Sequence, residues 1–368
     1  MSPSLRFPEF TGEWKEERLS EIADIYKGAG ISKDQLSDNG EPCILYGELY
    51  TKYKTETITE VISRTDIDNT KLVRSKANDV IIPCSGETAE DIATARCVIK
   101  DGILLGGDSN IIRLHNYDGS FVSYQLNGKR KYDIAKVAQG VSVVHLYGEH
   151  LKGVKTVNPC LAEQKKISRF LSLLDERIAV QNRLIDRLQS LMIGIAQKIA
   201  HSNKPNVRIS DCLECSSSAL QESEVNKTGK YPVYGANGIV GYIDKYHTQN
   251  EAIYIIKDGS GVGGVSYVTG KCSSTGTLNI LQAKNGHSLK YLYYLLKVFN
   301  FVPYKTGMAI PHIYFKDYGK AKIFCPAYPE QLEYAKLLSS IDGNLRIALD
   351  SLKNFNLQKQ YLLRHMLI

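Results

Sequence analysis

Two stretches of the chain repeat their apolar residues in alternating steps of three and four. The first runs Leu171, Leu174, Ile178, Ile185, Leu188, Met192, Ile195 and Ile199, with Gln181 as its one polar member. The second runs Leu338, Ile341, Leu345, Ala348, Leu352, Phe355, Leu362 and Met366, with Lys359 in the polar place. A seam sustained over about four heptads is the pattern of a coiled coil. It predicts two helices of about 40 residues, each a rod of roughly 60 Å at about 1.5 Å per residue, that bury their seams against each other. Pro159 and Pro326 stand where these helices would begin, since a first turn tolerates proline, and Glu163 and Glu330 follow where the helix dipole favours an acid.

The stretches ahead of the seams have a different rhythm. Asp79–Pro83, 110–114 and 252–256 are short, rich in β-branched residues and bounded by Gly, Asp or Asn, which predicts strands. Turn signals crowd around them, at Asp38-Asn39-Gly40, Asp101-Gly102, Asp118-Gly119, Asn127-Gly128 and Asn237-Gly238. Short helices are predicted over 18–26 and 289–299. The fold class is therefore α+β, two irregular globules each followed by a long helix. His201-Ser202-Asn203-Lys204-Pro205-Asn206 is polar and proline-containing, a natural boundary between the first helix and the second globule.

The two halves are copies of one plan. Shifted by 167 residues, 139–175 lies over 306–342 without a gap and ten of the 37 positions are identical. These are Gly140/Gly307, His145/His312, Tyr147/Tyr314, Lys155/Lys322, Pro159/Pro326, Glu163/Glu330, Gln164/Gln331, Leu171/Leu338, Ser172/Ser339 and Asp175/Asp342. Upstream the match loosens, although Leu19-Ser20-Glu21-Ile22 still resembles Ile209-Ser210-Asp211-Cys212. Two copies are too few for a solenoid, so a duplicated domain is the better description.

Composition adds exclusions. At 43% apolar and 23% charged residues, the 368-residue chain is of globular type and not disordered. No apolar run approaches the roughly 18 residues needed to cross a bilayer. The opening residues lack the pattern of a signal peptide. Eight cysteines without an export signal read as free thiols in a reducing cytoplasm.

Few motifs survive inspection. Gly259-Ser260-Gly261-Val262-Gly263-Gly264 matches a dinucleotide fingerprint, but a strand-like segment follows where the pyrophosphate would need a helix, so a flexible turn between strands is expected. Cys212-Leu213-Glu214-Cys215 is a lone C-x-x-C. A structural zinc site needs a second pair, and Cys272 and Cys325 stand singly, so these read as incidental thiols and no metal site is expected. Asn158-Pro159-Cys160-Leu161 lacks the second proline and the aromatic of an amino-methyltransferase loop, and neither a phosphate-binding Gly-Lys loop nor a nucleophile elbow occurs. His145 and His312 have no carboxylate or cysteine at a repeated offset, so no catalytic set is expected. The matched Gly-x4-His, with Lys305-Thr306-Gly307 in the second copy, fits a phosphate-facing loop instead.

These residues resemble the specificity subunit of Type I restriction-modification systems over essentially the whole chain. The resemblance rests on Trp14-Lys15-Glu16-Glu17-Arg18-Leu19-Ser20-Glu21-Ile22, on Asp79–Pro83 continuing through Cys84-Ser85-Gly86-Glu87-Thr88, and on the run from Tyr231-Pro232-Val233-Tyr234-Gly235 through Asn237-Gly238 to Tyr242. It rests also on Gly307-Met308-Ala309-Ile310-Pro311-His312-Ile313 and on the two lead-ins Pro159 to Glu163-Gln164 and Pro326 to Glu330-Gln331. One departure is Val143-Val144-His145 in the first copy, which lacks the proline of Ile310-Pro311-His312.

The resemblance implies two target recognition domains, at 1–155 and 204–322. The first long helix with its linker occupies 156–203 and the second 323–368, paired as an antiparallel coiled coil. It implies a non-catalytic subunit that reads a bipartite, asymmetric double-stranded DNA target, with the helices setting the half-site spacing. Two methyltransferase subunits and the restriction, translocating subunits would be its partners, in the cytoplasm and with no membrane involved. S-adenosylmethionine, ATP and magnesium would belong to those partners, leaving no cofactor in this chain.

For base and phosphate contacts, loops mixing basic, amide and hydroxyl groups are the candidates. They are Ser85, Glu87, Thr88, Lys129, Arg130 and Lys131 in the first globule, and Tyr234, Asn237, Lys257, Ser260, Lys305 and His312 in the second. The chain's formal charge of +7 is uneven. Residues 1–158 carry 20 basic and 23 acidic groups, residues 204–325 carry 14 and 8, so only the second globule has a general electrostatic case for phosphate.

Overall fold

A computed structural model describes residues 2–68, 70–140 and 143–368. The chain divides into two compact units, Met1–Gln181 with Ser351–Ile368, and Asn182–Asp350. Each unit takes part of both long helices, Leu161–Ala200 and Tyr328–Met366. These are 40 and 39 residues long and begin two residues after the prolines Pro159 and Pro326.

In the first unit the central sheet has five strands in the order Ala23–Lys27, Ser109–Leu114, Asp79–Pro83, Arg96–Val98, Thr57–Ile58. Asp79–Pro83 is buried at every position, as the apolar run from Val80 requires of a central strand, with the Asp79 carboxylate paired to Arg113 at 2.7 Å. In the second unit the matching sheet runs Leu213–Ser217, Leu278–Ala283, Glu251–Ile256, Val265–Thr269. Both units close on an antiparallel pair at the base, Lys15–Arg18 with Lys155–Asn158 and Val207–Arg208 with Lys322–Ile323. Both carry a helix against the sheet, Gly119–Asn127 and Leu289–Val298, started by Asp118 and Ser288 side chains that accept from Phe121 N and Tyr291 N.

Three local expectations are corrected. The helix predicted over 18–26 is only Leu19–Ile22, because Ala23–Lys27 is drawn into the sheet by five paired residues of Ser109–Leu114. Asp118-Gly119 is a helix cap and Asn127-Gly128 a helix end, not strand turns. The same side-chain chemistry serves caps and turns, so sequence alone does not separate them.

The seams lie as amphipathic helices require. Within the first unit Leu171 and Leu174 share a core with Leu362 and Met366, with Ile178 and Phe355 on its edge, and the pairs Asp175–Lys359 and Arg177–Phe355 show the two segments running antiparallel. The Arg177 guanidinium covers the Phe355 ring at 5.0 Å. Within the second unit Ile185, Met192, Leu338, Ile341 and Leu345 are buried and Leu188 and Ile195 half-buried, while Met192 and Leu345 line one cleft with Tyr294. Leu352, in the first unit, is half-buried.

Lys359 explains its own exception to the seam. Its ammonium bonds Asp175 at 2.7 Å and Glu56 at 2.8 Å, and the Tyr124 hydroxyl donates to Asp175 at 2.6 Å. Burial pushes the Asp175 carboxyl up against the pull of Lys359. Burial also works against the Lys359 charge, but the two carboxylates more than offset it and its pKa lies above the ordinary lysine value.

Candidate nucleic-acid interface

Each unit clips one loop to the end of a central strand, and the two clips coincide. In the first unit Gln139 and His145 exchange backbone hydrogen bonds at 2.9 and 2.7 Å, and Leu146 N donates to Cys84 O at 2.7 Å. In the second Thr306 and His312 exchange them at 2.9 and 2.7 Å, and Ile313 N donates to Lys257 O at 2.9 Å. Gly140 and Gly307 sit in both loops at positive φ, +124° and +87°, where a side chain would be strained. The missing proline in the first copy therefore leaves the loop geometry intact around its described residues. Val141 and Ser142, which fall inside the first loop, lie outside the described residues.

Both histidines also present the same aromatic neighbour. His145 stacks on Tyr147 with ring centres 6.2 Å apart, and His312 on Tyr314 at 6.5 Å. The tyrosines are about half exposed, at 54% and 48%. Lys316 covers the Tyr314 ring at 5.3 Å. Beside these clips Val143, Met308 and Ile310 are all solvent-exposed.

The second unit gathers most of its candidates around the clip. His312 Nδ1 lies 2.6 Å from Asp258 Oδ1, and Gly259 N donates to Pro311 O at 3.0 Å, which ties the Lys257–Ser260 turn to the Lys305–His312 loop. Lys257 N donates to Thr277 O, Thr277 Oγ1 bonds Thr275 Oγ1 at 2.8 Å, and Thr275 N donates to Tyr234 O at 2.8 Å. Tyr234 is half-buried, its ring against Tyr254 at 5.9 Å. Asn237 is exposed at the turn of the hairpin formed by Tyr231–Gly235 and Gly238–Ile243. Ser260 and Lys305 are exposed, and the glycine run that includes Ser260 joins two antiparallel strands with no helix after it.

The first unit spreads its candidates. Ser85 is buried in the clip, pairing with His145 in a short ladder and donating to Asp108 Oδ2 at 3.4 Å. Glu87 is exposed. Thr88 is occupied as a helix cap, its Oγ1 accepting from Asp91 N at 3.1 Å and bonding the Asp91 carboxylate at 2.7 Å. Lys129 is exposed, Arg130 reaches Asp133 at 3.5 Å and Lys131 begins the helix Lys131–Val137. Neighbouring Gly128 lies beside Leu367, so this basic triplet sits at the helical base of its unit. Lys27, 3.9 Å from the Asp108 that Ser85 bonds, is a cation beside this clip that lies outside the candidates. Burial holds the Cys84 thiol up at about 11, so it is no nucleophile at neutral pH.

Tyr147 and Tyr314 lie outside the candidates, as does His145, which entered only through the matched Gly-x4-His. All three belong to pairs that are identical between the copies, and that identity was the available signal.

Comparison with known proteins gives these clips a context. The profile of the Type I restriction modification DNA specificity domain matches residues 11–190 and again 202–354. A putative Type I restriction enzyme specificity subunit of Haemophilus influenzae is 25% identical over 33% of this chain and 32% of its own length. The EcoprrI specificity subunit of Escherichia coli is 25% identical over 30% of this chain and 28% of its own. The MjaVIII specificity subunit of Methanocaldococcus jannaschii is 25% identical over 53% of this chain and 43% of its own. The aligned part thus spans less than half the length of each of these relatives. Among solved structures, the Type I restriction-modification S subunit of M. genitalium superposes with a TM-score of 0.74 at 18% identity, over 100% of this chain and 99% of that one. A chain from a structural study of complex assembly and conformational transition of a Type I system gives 0.54 at 14% identity, over 96% and 97%. No helix among the described residues is long and apolar enough to cross a membrane. The chain belongs to the family of Type I restriction-modification DNA specificity domains and carries two of them.

Proposed function

We propose that this chain is the non-catalytic, DNA-reading subunit of a Type I restriction-modification complex, each unit contacting one half of a bipartite, asymmetric duplex target. The observation that carries this is the pair of clips. A histidine loop with a stacked tyrosine is held at the same strand end in both units, by backbone bonds of matching length. Backbone-clipped loops on a rigid sheet suit base and phosphate recognition, because their tips can vary while the frame stays fixed.

Lys257, Lys305 and Lys316 provide cations for phosphate in the second unit, and Lys27 one beside the clip of the first, where the Ser85 hydroxyl stands. The long helices set the gap between half-sites. Their solvent-facing apolar side chains, such as Phe170, Leu173 and Val180 in the first unit and Leu337 and Ile347 in the second, give two methyltransferase subunits a docking surface. Restriction and translocating subunits join through these. S-adenosylmethionine, ATP and magnesium act on the partners.

The test is selection from a random duplex library with the chain and its methyltransferase partners. A two-part motif with a fixed gap is expected. Exchanging residues 1–155 for another family member's should change one half only; a change in both halves, or no enriched motif, would overturn the proposal. Lys257→Ala and Lys305→Ala should weaken binding across sequences and reduce the salt slope by about one each.

A further inference from the structure

The C-x-x-C of the second unit is not a pair. Cys215 lies on the strand Leu213–Ser217, where burial pushes its thiol up to about 11. Cys212 ends the short helix Ile209–Cys212, buried, and meets two residues from far along the chain. Its Sγ, the Sγ of Cys325 and a ring nitrogen of His287 all lie within 4.8 Å of one another. Among the described residues these form the one group of three metal-ligating side chains that converge in this way.

Two further observations point to a ligand. The Nδ1 of His287 is buried without a hydrogen-bond partner, which is costly for a polar atom unless something else satisfies it. The second is a donor to sulfur: Gln331 Nε2 lies 3.2 Å from Cys325 Sγ, the outer contact that steadies a metal-bound thiolate. The backbone of every member is fixed as well. His287 N donates to Lys284 O and Lys284 N to Cys212 O, at 3.1 and 2.9 Å, which joins two members. Asn206 brackets the third, with Cys325 N donating to its Oδ1 and its Nδ2 to Cys325 O, both at 2.8 Å.

The first unit has the same place and fills it differently. Ile22, Tyr117 and Asn158 occupy the positions of Cys212, His287 and Cys325. There the Tyr117 hydroxyl and Asn158 Nδ2 both donate to Glu17, at 2.8 and 3.0 Å. Val207 stands where Glu17 would be, so the second copy has lost the acid and gained two thiols and an imidazole.

We infer that Cys212, Cys325 and His287 hold a zinc ion in an open, three-ligand site with a water as fourth ligand, a clasp peculiar to the second unit that needs no second cysteine pair. Around a tetrahedral zinc with Zn–S near 2.3 Å, sulfur atoms stand about 3.8 Å apart, so the observed group closes with little movement. Zinc replaces the two thiol protons, which pass to solvent, and leaves the imidazole neutral. Binding joins the start of the globule, the cap of its helix Leu289–Val298 and the lead-in to the long helix.

The test is metal content of the full chain purified under reducing conditions without chelator. About one zinc per chain is expected, and cobalt exchanged into the site should show thiolate charge-transfer absorption. Cys325→Ser and His287→Gln should lose the metal, and Cys215→Ser should keep it. The triple change Val207→Glu, His287→Tyr, Cys325→Asn installs the first unit's hydrogen-bonded set and should fold without zinc. Background zinc after reconstitution, or a Cys212–Cys325 disulfide in the intact mass of unreduced protein, would overturn the inference. None of these readouts depends on DNA.

Discussion

The two copies agree most closely where each globule hands over to its long helix. Gln164 Oε1 accepts from Asp118 N at 2.9 Å and Gln331 Oε1 from Ser288 N at 2.9 Å; their Nε2 groups donate to Pro159 O and Pro326 O, both at 2.8 Å. One side chain thus satisfies the N–H at a helix start and a proline carbonyl at the lead-in to the long helix. Beside this matched joint the copies part. Glu163 takes a bidentate bond from Arg6 at 2.7 Å and a further one from Trp14 Nε1, whereas Glu330 takes one from Tyr334 on its own helix. Asp175 is buried with Lys359, whereas Asp342 reaches Arg346, whose side chain is 69% exposed. Identity between the copies follows backbone groups that must be paired, and divergence follows side chains that only need some partner.

The largest expected effect would come from breaking that contrast at Lys359. Lys359→Met leaves Glu56 and Asp175 buried without a cation, which costs about 3–5 kcal/mol. Met192 holds the position 167 residues earlier, so methionine itself fits such a seam. Denaturant unfolding of the full chain, with hydrogen exchange to locate the loss, should place it in peptides of the first unit. Asp342→Asn should cost about 1 kcal/mol or less, because Arg346 is 69% exposed although Asp342 itself is only 13% exposed. The Lys359 contribution has a pH sign. Its ammonium is held above 10.5, so the stabilisation is complete below that pH and is lost as the pH rises through the folded value. A loss already complete at neutral pH would contradict the assigned pairing.

Next in size come the two glutamines. Gln164→Leu and Gln331→Leu should each cost about 2 kcal/mol, since each strands a backbone N–H and a carbonyl. Equal losses would support one joint built twice. A clear excess at Gln331 would mean that its contact with Cys325 Sγ matters beyond the shared geometry.

The large-scale plan was legible because it is written in periods. The heptad steps set both long helices, and the 167-residue shift set the duplication. Central strands such as Asp79–Pro83 were legible because burial on both faces leaves an apolar run, here from Val80. What escaped depends on distance in space. Nothing near Cys212 in the chain announces Cys325 or His287. Thr88 looks like a free hydroxyl until its bond to Asp91 is seen. Lys359 interrupts a seam for a reason that lies at Glu56, on the far side of the first globule's sequence. Sequence periodicity reports which face is buried, and not which polar groups meet there.

The smallest expected effect sharpens the comparison at the paired glutamates. Tyr334→Phe removes the hydroxyl that donates to Glu330 at 2.7 Å and leaves the ring, which stacks on Tyr291 at 6.1 Å. Glu330 is only half-buried, so water can replace the lost donor and the change in stability should stay within about 0.5 kcal/mol. Glu163 has no such recourse: its side chain is 1% exposed and Arg6 is its counter-charge. A loss of about 2 kcal/mol or more from Tyr334→Phe would mean that Glu330 depends on its partner as heavily as Glu163 does. The shared glutamate would then be a common structural element of both joints, where the observed contacts make it an inherited residue put to two uses.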